Sequence, residues 1–527
     1  MILVIGSGPA GVACASALLD AGEKVTMLDA GLELEDARRR QVSDLQSRPS
    51  TSWEPEALAF LRDGVDVTRD GIPVKLEYGS DFAYRDPIGQ PMTLDGAHGK
   101  QSFARGGLSN VWGASVLPYR AEDMSDWPIT AADLAPHYRA ALSMMPFSGR
   151  HDRLEETFPL YHDDPGNLGA SSQAGALLRD LELNASRLSE HGVLFGASRL
   201  AVQAEGAGGK PGCVHCGKCI YGCPYEFIYN SAHTVEKLRN NVAFTYHPGV
   251  VIEQLVETGS QVEVRGRNLD GAESFQQRAD KVFVACGVLS TARLMLASLE
   301  AYDQPIHALD NCYFLMPLLR YRGRPDAIRE RLHTLAQVFI EVADPAIGAH
   351  GAHLQVYTYN ELYQEELARM MGPLRGALPM VRGGVLGRLL LIQGYLHSEM
   401  SAGIRIALRR GSGGASPSLD LQGEPNPRTR PALAALGRRL WAERGSMKAV
   451  AMSRMLRVGP PGRGFHTGGT FPMRSNPGPF EVDRLGRPHG FTRVHVVDSS
   501  VFPSLPATTI TLSVMANAHR IGAEAIA

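Results

Sequence analysis

A mixed α/β fold opening on a strand, turn, helix and strand is predicted by three features of the sequence. A short apolar run, Ile2 to Ile5, meets a glycine-rich turn, Gly6-Ser7-Gly8-Pro9-Ala10-Gly11, and then an Ala/Leu-rich stretch of helical spacing, VACASALLDAG. The next apolar run, KVTMLDAG, ends in Asp29, eighteen positions beyond Gly11, close to where the dinucleotide fingerprint places its ribose-binding acid. At 527 residues the chain is too long for one small core, so two or more domains or one large composite are expected.

Each residue of the opening unit has a physical task. Gly6 makes the turn, Gly8 lets backbone approach a pyrophosphate, Gly11 lets helix and strand pack, and the helix N-terminus meets phosphate charge. A lone GxGxxG is a weak signal. With strand, helix, second strand and acid all in place it specifies a dinucleotide fold, with Gly6, Gly8, Ala10, Gly11 and Asp29 as cofactor contacts. The composition, 44 % hydrophobic and 20 % charged, is that of an ordinary globular protein. A formal net charge of −2 argues against nucleic-acid binding, which calls for a basic stripe. No apolar run reaches the roughly 18 residues of a membrane span, and Met1 leads straight into a strand without a basic n-region or cleavage site. A cytoplasmic location is expected, and export in company with a partner would leave no mark here. Internal repeats are absent.

Three further segments fall into order: ARGGLSNVWGAS (Ala104 to Ser115) trailed by DWPITAADLAPHYRAA, VFVACGVLSTARLMLAS (Val282 to Ser298), and the C-terminus from GFHTGGTFPM through VHVVDSSVFPSLPATTITLSVMANAHRIGAEAI. With the N-terminal fingerprint they resemble the glucose-methanol-choline (GMC) flavin oxidoreductases, loosely so from about Asp303 to Gly459. The resemblance implies FAD rather than NAD, and a Rossmann-like FAD-binding domain that is discontinuous, with an inserted α+β substrate domain on an antiparallel sheet. Its parts are expected at 1–160 (with a lid-like segment at 40–100), 161–300 (with an iron–sulfur loop at 211–225) and 456–527, and the substrate domain at 301–455. Gly106, Gly107, Ser109, Asn110, Val251, Asp498 and Thr511 are implied as further cofactor contacts. Gly106 and Gly107 with Ser109 and Asn110 would let backbone and small polar groups approach an isoalloxazine ring closely. The final helix, with Thr508 or Thr509 expected as N-cap, would aim its N-terminus at the pyrimidine side of the flavin.

Two departures from the family matter. Where some members attach flavin to a histidine this chain has Val111, so FAD is expected to be noncovalent. The family's catalytic histidine matches His466, but the second position, eleven after Asp498, is Thr509. An imidazole of ordinary pKa, about 6.5, suits a base. A threonine hydroxyl positions an oxygen but carries no proton away. His466 is therefore expected to take the hydroxyl proton and Thr509 to orient the oxygen.

Four of the seven cysteines crowd into CVHCGKCIYGCP. Cys213, Cys216, Cys219 and Cys223 follow the CxxCxxCxxxCP run of bacterial ferredoxins, in which the last cysteine serves a second cluster. With no second run, either Cys223 completes one [4Fe–4S] cluster, or its place is taken by Cys286, Cys312 or nothing, leaving [3Fe–4S] in the last case. Zinc is the alternative, cramped by a two-residue loop between ligand pairs. GMC enzymes with cysteines here resemble bacterial FAD-dependent sugar dehydrogenases carrying an iron–sulfur cluster, although the lysine expected after the last cysteine is replaced by the Phe227-Ile228-Tyr229 region. A flavin takes two electrons and releases them singly, while a cluster handles one. The combination implies a dehydrogenase acting on an alcohol, a sugar or sugar-like polyol, that feeds a one-electron acceptor such as a ferredoxin, a cytochrome or a small subunit. Two other readings stand beside it: a redox-neutral or lyase-type flavoprotein with a structural cluster, and an electron-transfer subunit.

Within the insert, RLLLIQGYLHSEMSAGIRIAL alternates like strands, and GSGGASPSLDLQGEPNPRTRPA reads as turn-rich loop. The apolar stretch from Leu367 to Leu396, interspersed with Arg369, Arg375, Arg382 and Arg388, reads as packing around a substrate channel. Contact with a membrane or lipid-like substrate is the less favoured reading.

Overall fold

Val494–Val496, Lys281–Val284, Ile2–Ile5, Val25–Leu28 and Phe244–His247 lie side by side in that order as an all-parallel sheet. The computed structural model describes residues 1–62, 74–86, 90–271, 273–361, 384–411, 413 and 416–526. Every residue of Ile2–Ile5 is buried, as a parallel strand covered on both faces must be. Helix Pro9–Asp20 follows with proline in its first turn and Gly8 as N-cap, a placement that uses proline's missing N–H without loss. The final helix, Thr511–Glu524, packs against it so closely that a Cβ on Gly522 would meet the Cys14 carbonyl at 2.9 Å. Ile510 rather than Thr508 or Thr509 stands at its N-cap position, without a side-chain cap. The two threonines precede the helix because its first turn already lies against the cavity described below.

The second layer is an antiparallel sheet in the order Ala449–Ala451, Tyr313–Arg320, Leu389–Leu396, Ala352–Tyr357, Val338–Val342, Val193–Ala197, with Arg457–Val458 on the side of Tyr313–Arg320. One face carries Phe314, Met316, Leu318, Ile340, Leu354 and Ile392, packed on helices Ser172–Glu182 and Thr429–Ala442. Gly394 is needed there, since a Cβ would sit 2.1 Å from the Phe314 ring. Strand Val193–Ala197 and helix Ser172–Glu182 both join this layer, so the interval 161–300 contributes to both layers.

A third sheet runs Thr467–Gly468, Ile306–Asp310, Gly403–Arg409, Ser418–Glu424, Met92–Asp95. It corrects the turn-rich reading of residues 411–432. Leu419 and Leu421 alternate inward as a strand, paired parallel with Met92–Asp95, and helix Thr429–Ala442 follows. The alternation is short and surrounded by Gly, Ser and Pro, which hid it. Residues 362–383, and with them Arg369, Arg375 and Arg382, lie outside the described residues, as do 63–73 and 87–89 of the lid-like segment. Among the described residues no helix is long and apolar enough to cross a membrane.

Candidate active site

The layers enclose a cavity of about 480 Å³ that reaches from the N-terminal glycine turn to the polar face of the antiparallel sheet. At the first end Gly6 has φ +101°, and a Cβ there would meet the Ala285 carbonyl at 2.5 Å. Gly11 is tighter still, its Cβ falling 1.9 Å from the Gly6 carbonyl. Gly11 serves packing and does not line the cavity, whereas Gly6, Gly8 and Ala10 do. Nothing lies within 4 Å of where a Gly8 Cβ would stand, and the uncapped N–H groups of helix Pro9–Asp20 make an anion site there. Asp29 accepts hydrogen bonds from Ser7 Oγ (2.5 Å) and Tyr246 OH (2.8 Å). Burial raises its pKa to about 6, against those two donors.

Gly107, Ser109, Val251, Asp498 and Thr511 also line the cavity. Gly106 and Asn110 do not. A Cβ on Gly106, at φ +89°, would strike Asn230 Oδ1 at 2.3 Å. Asn110 donates to the Arg105 and Gly107 carbonyls and accepts from Asn230, so it locks the loop that presents Gly107 and Ser109. The Asp498 carboxylate accepts from the Gly287 N–H (2.9 Å) and Thr291 Oγ1 (2.5 Å). It tethers the N-terminus of helix Val288–Ser298 beside the cavity, and burial raises its pKa.

At the far end both His466 and Thr509 line the cavity. Asn311 Nδ2 lies 3.1 Å from His466 Nδ1, 3.1 Å from the Pro506 carbonyl and 3.3 Å from the Thr508 carbonyl. The amide cannot be turned round, since its oxygen would then face two carbonyls. An amide nitrogen accepts no hydrogen bond, so Nδ1 is the acceptor and neutral His466 carries its proton on Nε2. The Tyr395 ring stacks on the imidazole at 4.7 Å, and burial with neighbouring His353 lowers the His466 pKa to about 3. Both findings correct the expected base of ordinary pKa: His466 faces the cavity as a neutral N–H donor. Thr509 Oγ1 accepts from the Leu117 N–H (3.1 Å), which leaves its own O–H to donate. His466 and Thr509 thus both border the cavity with a proton free to donate, the kind of group that stabilises negative charge as it develops on an oxygen.

The family model for GMC oxidoreductase matches residues 445–518, the stretch that holds His466, Asp498 and Thr509. Over that C-terminal stretch the chain is similar to the GMC oxidoreductases. Its fold is that of pyridoxine 4-oxidase from Mesorbium loti, at TM-score 0.60 and 15 % identity over 99 % of this chain and 98 % of that one. Formate oxidase is similar at TM-score 0.58 and 14 % identity, over 99 % and 97 %. No curated protein sequence matches the chain. GMC oxidoreductases act on CH–OH donors with FAD, and the cavity has features that fit that cofactor: an anion site at Gly8 and the small residues Gly107 and Ser109.

The four clustered cysteines surround a second cavity, of about 20 Å³, walled by Val202, Tyr225, Phe227, Ile228 and His333. Cys223 folds back to join the other three. Cys286 instead lines the large cavity, and Cys312 is buried in the antiparallel layer. No three of the four sulfurs lie within 4.8 Å of one another, whereas a zinc ion with bonds of about 2.3 Å would draw them closer than that. Burial and their mutual repulsion push the Cys213, Cys216 and Cys223 thiols up to about 12, 11 and 12. Cys219 and Leu335 line both cavities, so one cysteine stands in the partition between them.

The sequence reading missed Asn311, Ser7, Tyr246 and the polar face of the antiparallel sheet. Asn311 precedes a strand with nothing to mark it. The polar face does leave a trace in AHLQVY and LLLIQGYL, where His353, Gln355, Tyr357, Gln393 and Tyr395 alternate with core residues.

Proposed function

We propose that this protein is a GMC oxidoreductase, and a dehydrogenase that oxidises an alcohol group of a sugar or sugar-like polyol and passes the electrons through an iron–sulfur cluster to a one-electron acceptor protein. The observation that carries this reading is Cys219, which belongs to the walls of both the flavin-sized cavity and the four-cysteine cavity. A cluster bound there, [4Fe–4S] with Cys213, Cys216, Cys219 and Cys223 as ligands, would adjoin the flavin. It would become [3Fe–4S] if one ligand is lost. Sulfurs spaced more widely than a zinc tetrahedron would hold them support iron–sulfur over zinc.

Bound FAD, noncovalent with Val111 at the place of attachment, supplies the hydride acceptor. Gly8 and the first turn of helix Pro9–Asp20 would hold its pyrophosphate, and Asp29, oriented by Ser7 and Tyr246, would take its ribose. His466 Nε2–H and Thr509 O–H donate to the substrate oxygen and steady it as its proton leaves to water. Stacking on Tyr395 and the Asn311 amide keep the imidazole in that tautomer. On this reading the protein works in the cytoplasm, with export in company with a partner left open, without nucleic acid, and with membrane contact as the less favoured alternative.

Anaerobic addition of sugars, polyols and simple alcohols to purified protein, followed by flavin bleaching, tests the reaction. Iron and sulfide analysis tests the cluster. About one FAD released by acid and one cluster per chain is the expected result. Stoichiometric zinc, or flavin that stays with the precipitate, overturns the assignment.

A further inference from the structure

The polar face of the antiparallel sheet is built in rows. Glu341, His353, Tyr395 and Tyr313 stand opposite one another on four neighbouring strands, and Phe339, Gln355, Gln393 and Leu315 form the next row. Strand alternation points both rows away from the core, and Tyr313, Gln355, Tyr357, Gln393 and Tyr395 reach the large cavity. Among the described residues no charged side chain of this face lines it.

Hydrogen bonds fix the polarity of the face from behind. His353, fully buried, hydrogen-bonds through Nδ1 to the Glu341 carboxylate. A carboxylate only accepts, so Nδ1 bears the proton and Nε2 carries the lone pair. Gln355 Nε2 donates to that Nε2 at 3.3 Å, which turns the amide oxygen of Gln355 the other way. There it accepts from Tyr357 OH at 3.1 Å and from Ser115 Oγ at 3.4 Å. The Tyr357 proton is thereby committed inward, and the hydroxyl oxygen keeps its lone pairs for the cavity. Burial also raises the phenol's pKa, so it stays neutral. On the neighbouring strand Gln393 Nε2 donates to Tyr395 OH, which leaves the Tyr395 proton to donate.

We infer that Tyr357 is a specificity residue: its oxygen, made an acceptor by the chain Glu341, His353, Gln355, receives a hydrogen bond from a second hydroxyl of the substrate, while His466 and Thr509 donate to the hydroxyl that is oxidised. The site would thus distinguish a polyol from a mono-alcohol of similar size. A lone alcohol places no donor at Tyr357 and leaves a desolvated oxygen unpaired, a costly loss in a buried site. The inference rests on the proposed oxidation of a polyol and adds which group reads its second hydroxyl.

The test uses the FAD-loaded protein with D-glucose, D-sorbitol, myo-inositol and, as the matched mono-alcohol, cyclohexanol. Anaerobic flavin reduction gives the limiting rate and KM, and the change in flavin absorbance on binding gives Kd. Tyr357→Phe removes one oxygen and should keep FAD and Tm. Its kcat/KM for the best polyol should fall by about tenfold to a hundredfold, the scale of one buried hydrogen bond. The loss should appear in KM and Kd, with the limiting rate within about threefold and cyclohexanol unaffected. Gln355→Leu frees the Tyr357 proton and should shift the same parameters by a smaller factor. If polyols reduce the flavin and Tyr357→Phe retains wild-type KM and Kd, this inference is wrong and the polyol reading stands. If none of the polyols reduces the wild-type flavin, both fall.

Discussion

Neutral His466, fixed as a donor, makes a pH prediction that separates it from a base of ordinary pKa. A histidine at 6.5 is about 97 % protonated at pH 5, whereas one at 3 is about 1 % protonated there. Burial holds the His466 pKa at about 3, so the rate of anaerobic flavin reduction should show no histidine limb between pH 5 and 8. The companion variants divide the roles further. His466→Gln keeps an N–H donor at nearly the same reach and should cost about tenfold or less. His466→Ala removes the donor and should cost on the order of a hundredfold to a thousandfold, the scale of losing one oxyanion donor. A general base would make both variants equally poor, by about a hundredfold to ten-thousandfold. Stopped-flow reduction with the best substrate from the screen, across pH 5 to 8, measures all of this. An acid limb centred near 6.5 in the wild type that disappears in His466→Gln would refute the tautomer argument.

Other expectations follow from the packing and the second cavity. Gly11→Ala puts a Cβ 1.9 Å from the Gly6 carbonyl and should destabilise by about 1–3 kcal/mol, as overpacking does, read as a lower Tm and a lower FAD content. Cys216→Ser should leave flavin reduction by substrate near wild type but slow transfer to a one-electron acceptor. Normal reduction of that acceptor by a variant that has lost its iron would make the cluster structural. Burial lowers the pKa of His333 to about 3 and of His137, His397 and His495 to about 4. Below the ordinary histidine pKa the unfolded chain binds protons that the folded chain refuses, so stability is full above about pH 6.5 and falls as pH drops toward 4. Urea midpoints across that window should decline with pH, and a flat profile would contradict the burial.

The ends of the chain were legible because their chemistry is local. A phosphate turn needs its glycines within a few residues, and the Gly6 and Gly11 contacts are those the spacing implied. The cysteine run was legible for the same reason, and only the return of Cys223 needed coordinates. His466 was found from its segment, but its protonation was not, because the tautomer is decided by Asn311, more than 150 positions away and held by two carbonyls of yet another loop. The assumption of an ordinary pKa failed for the same reason: burial is a property of the assembled layers. The strand Ser418–Glu424 was read as loop since its pairing partner, Met92–Asp95, is distant in sequence and adds no local signal.

The large cavity is walled by Gly6, Ser7 and Gly8 on one side and by Asp498, Thr509 and Thr511 on another, and the strand Val494–Val496 completes the parallel sheet begun by Ile2–Ile5. During synthesis the first wall therefore waits for its counterpart while some five hundred residues are added, roughly 25 to 100 seconds at ribosomal rates. Over that interval the nascent N-terminal unit has an exposed sheet edge and half a pocket. A ligand that touches both walls can be held only after the residues around Thr511 have been made and folded onto the first wall.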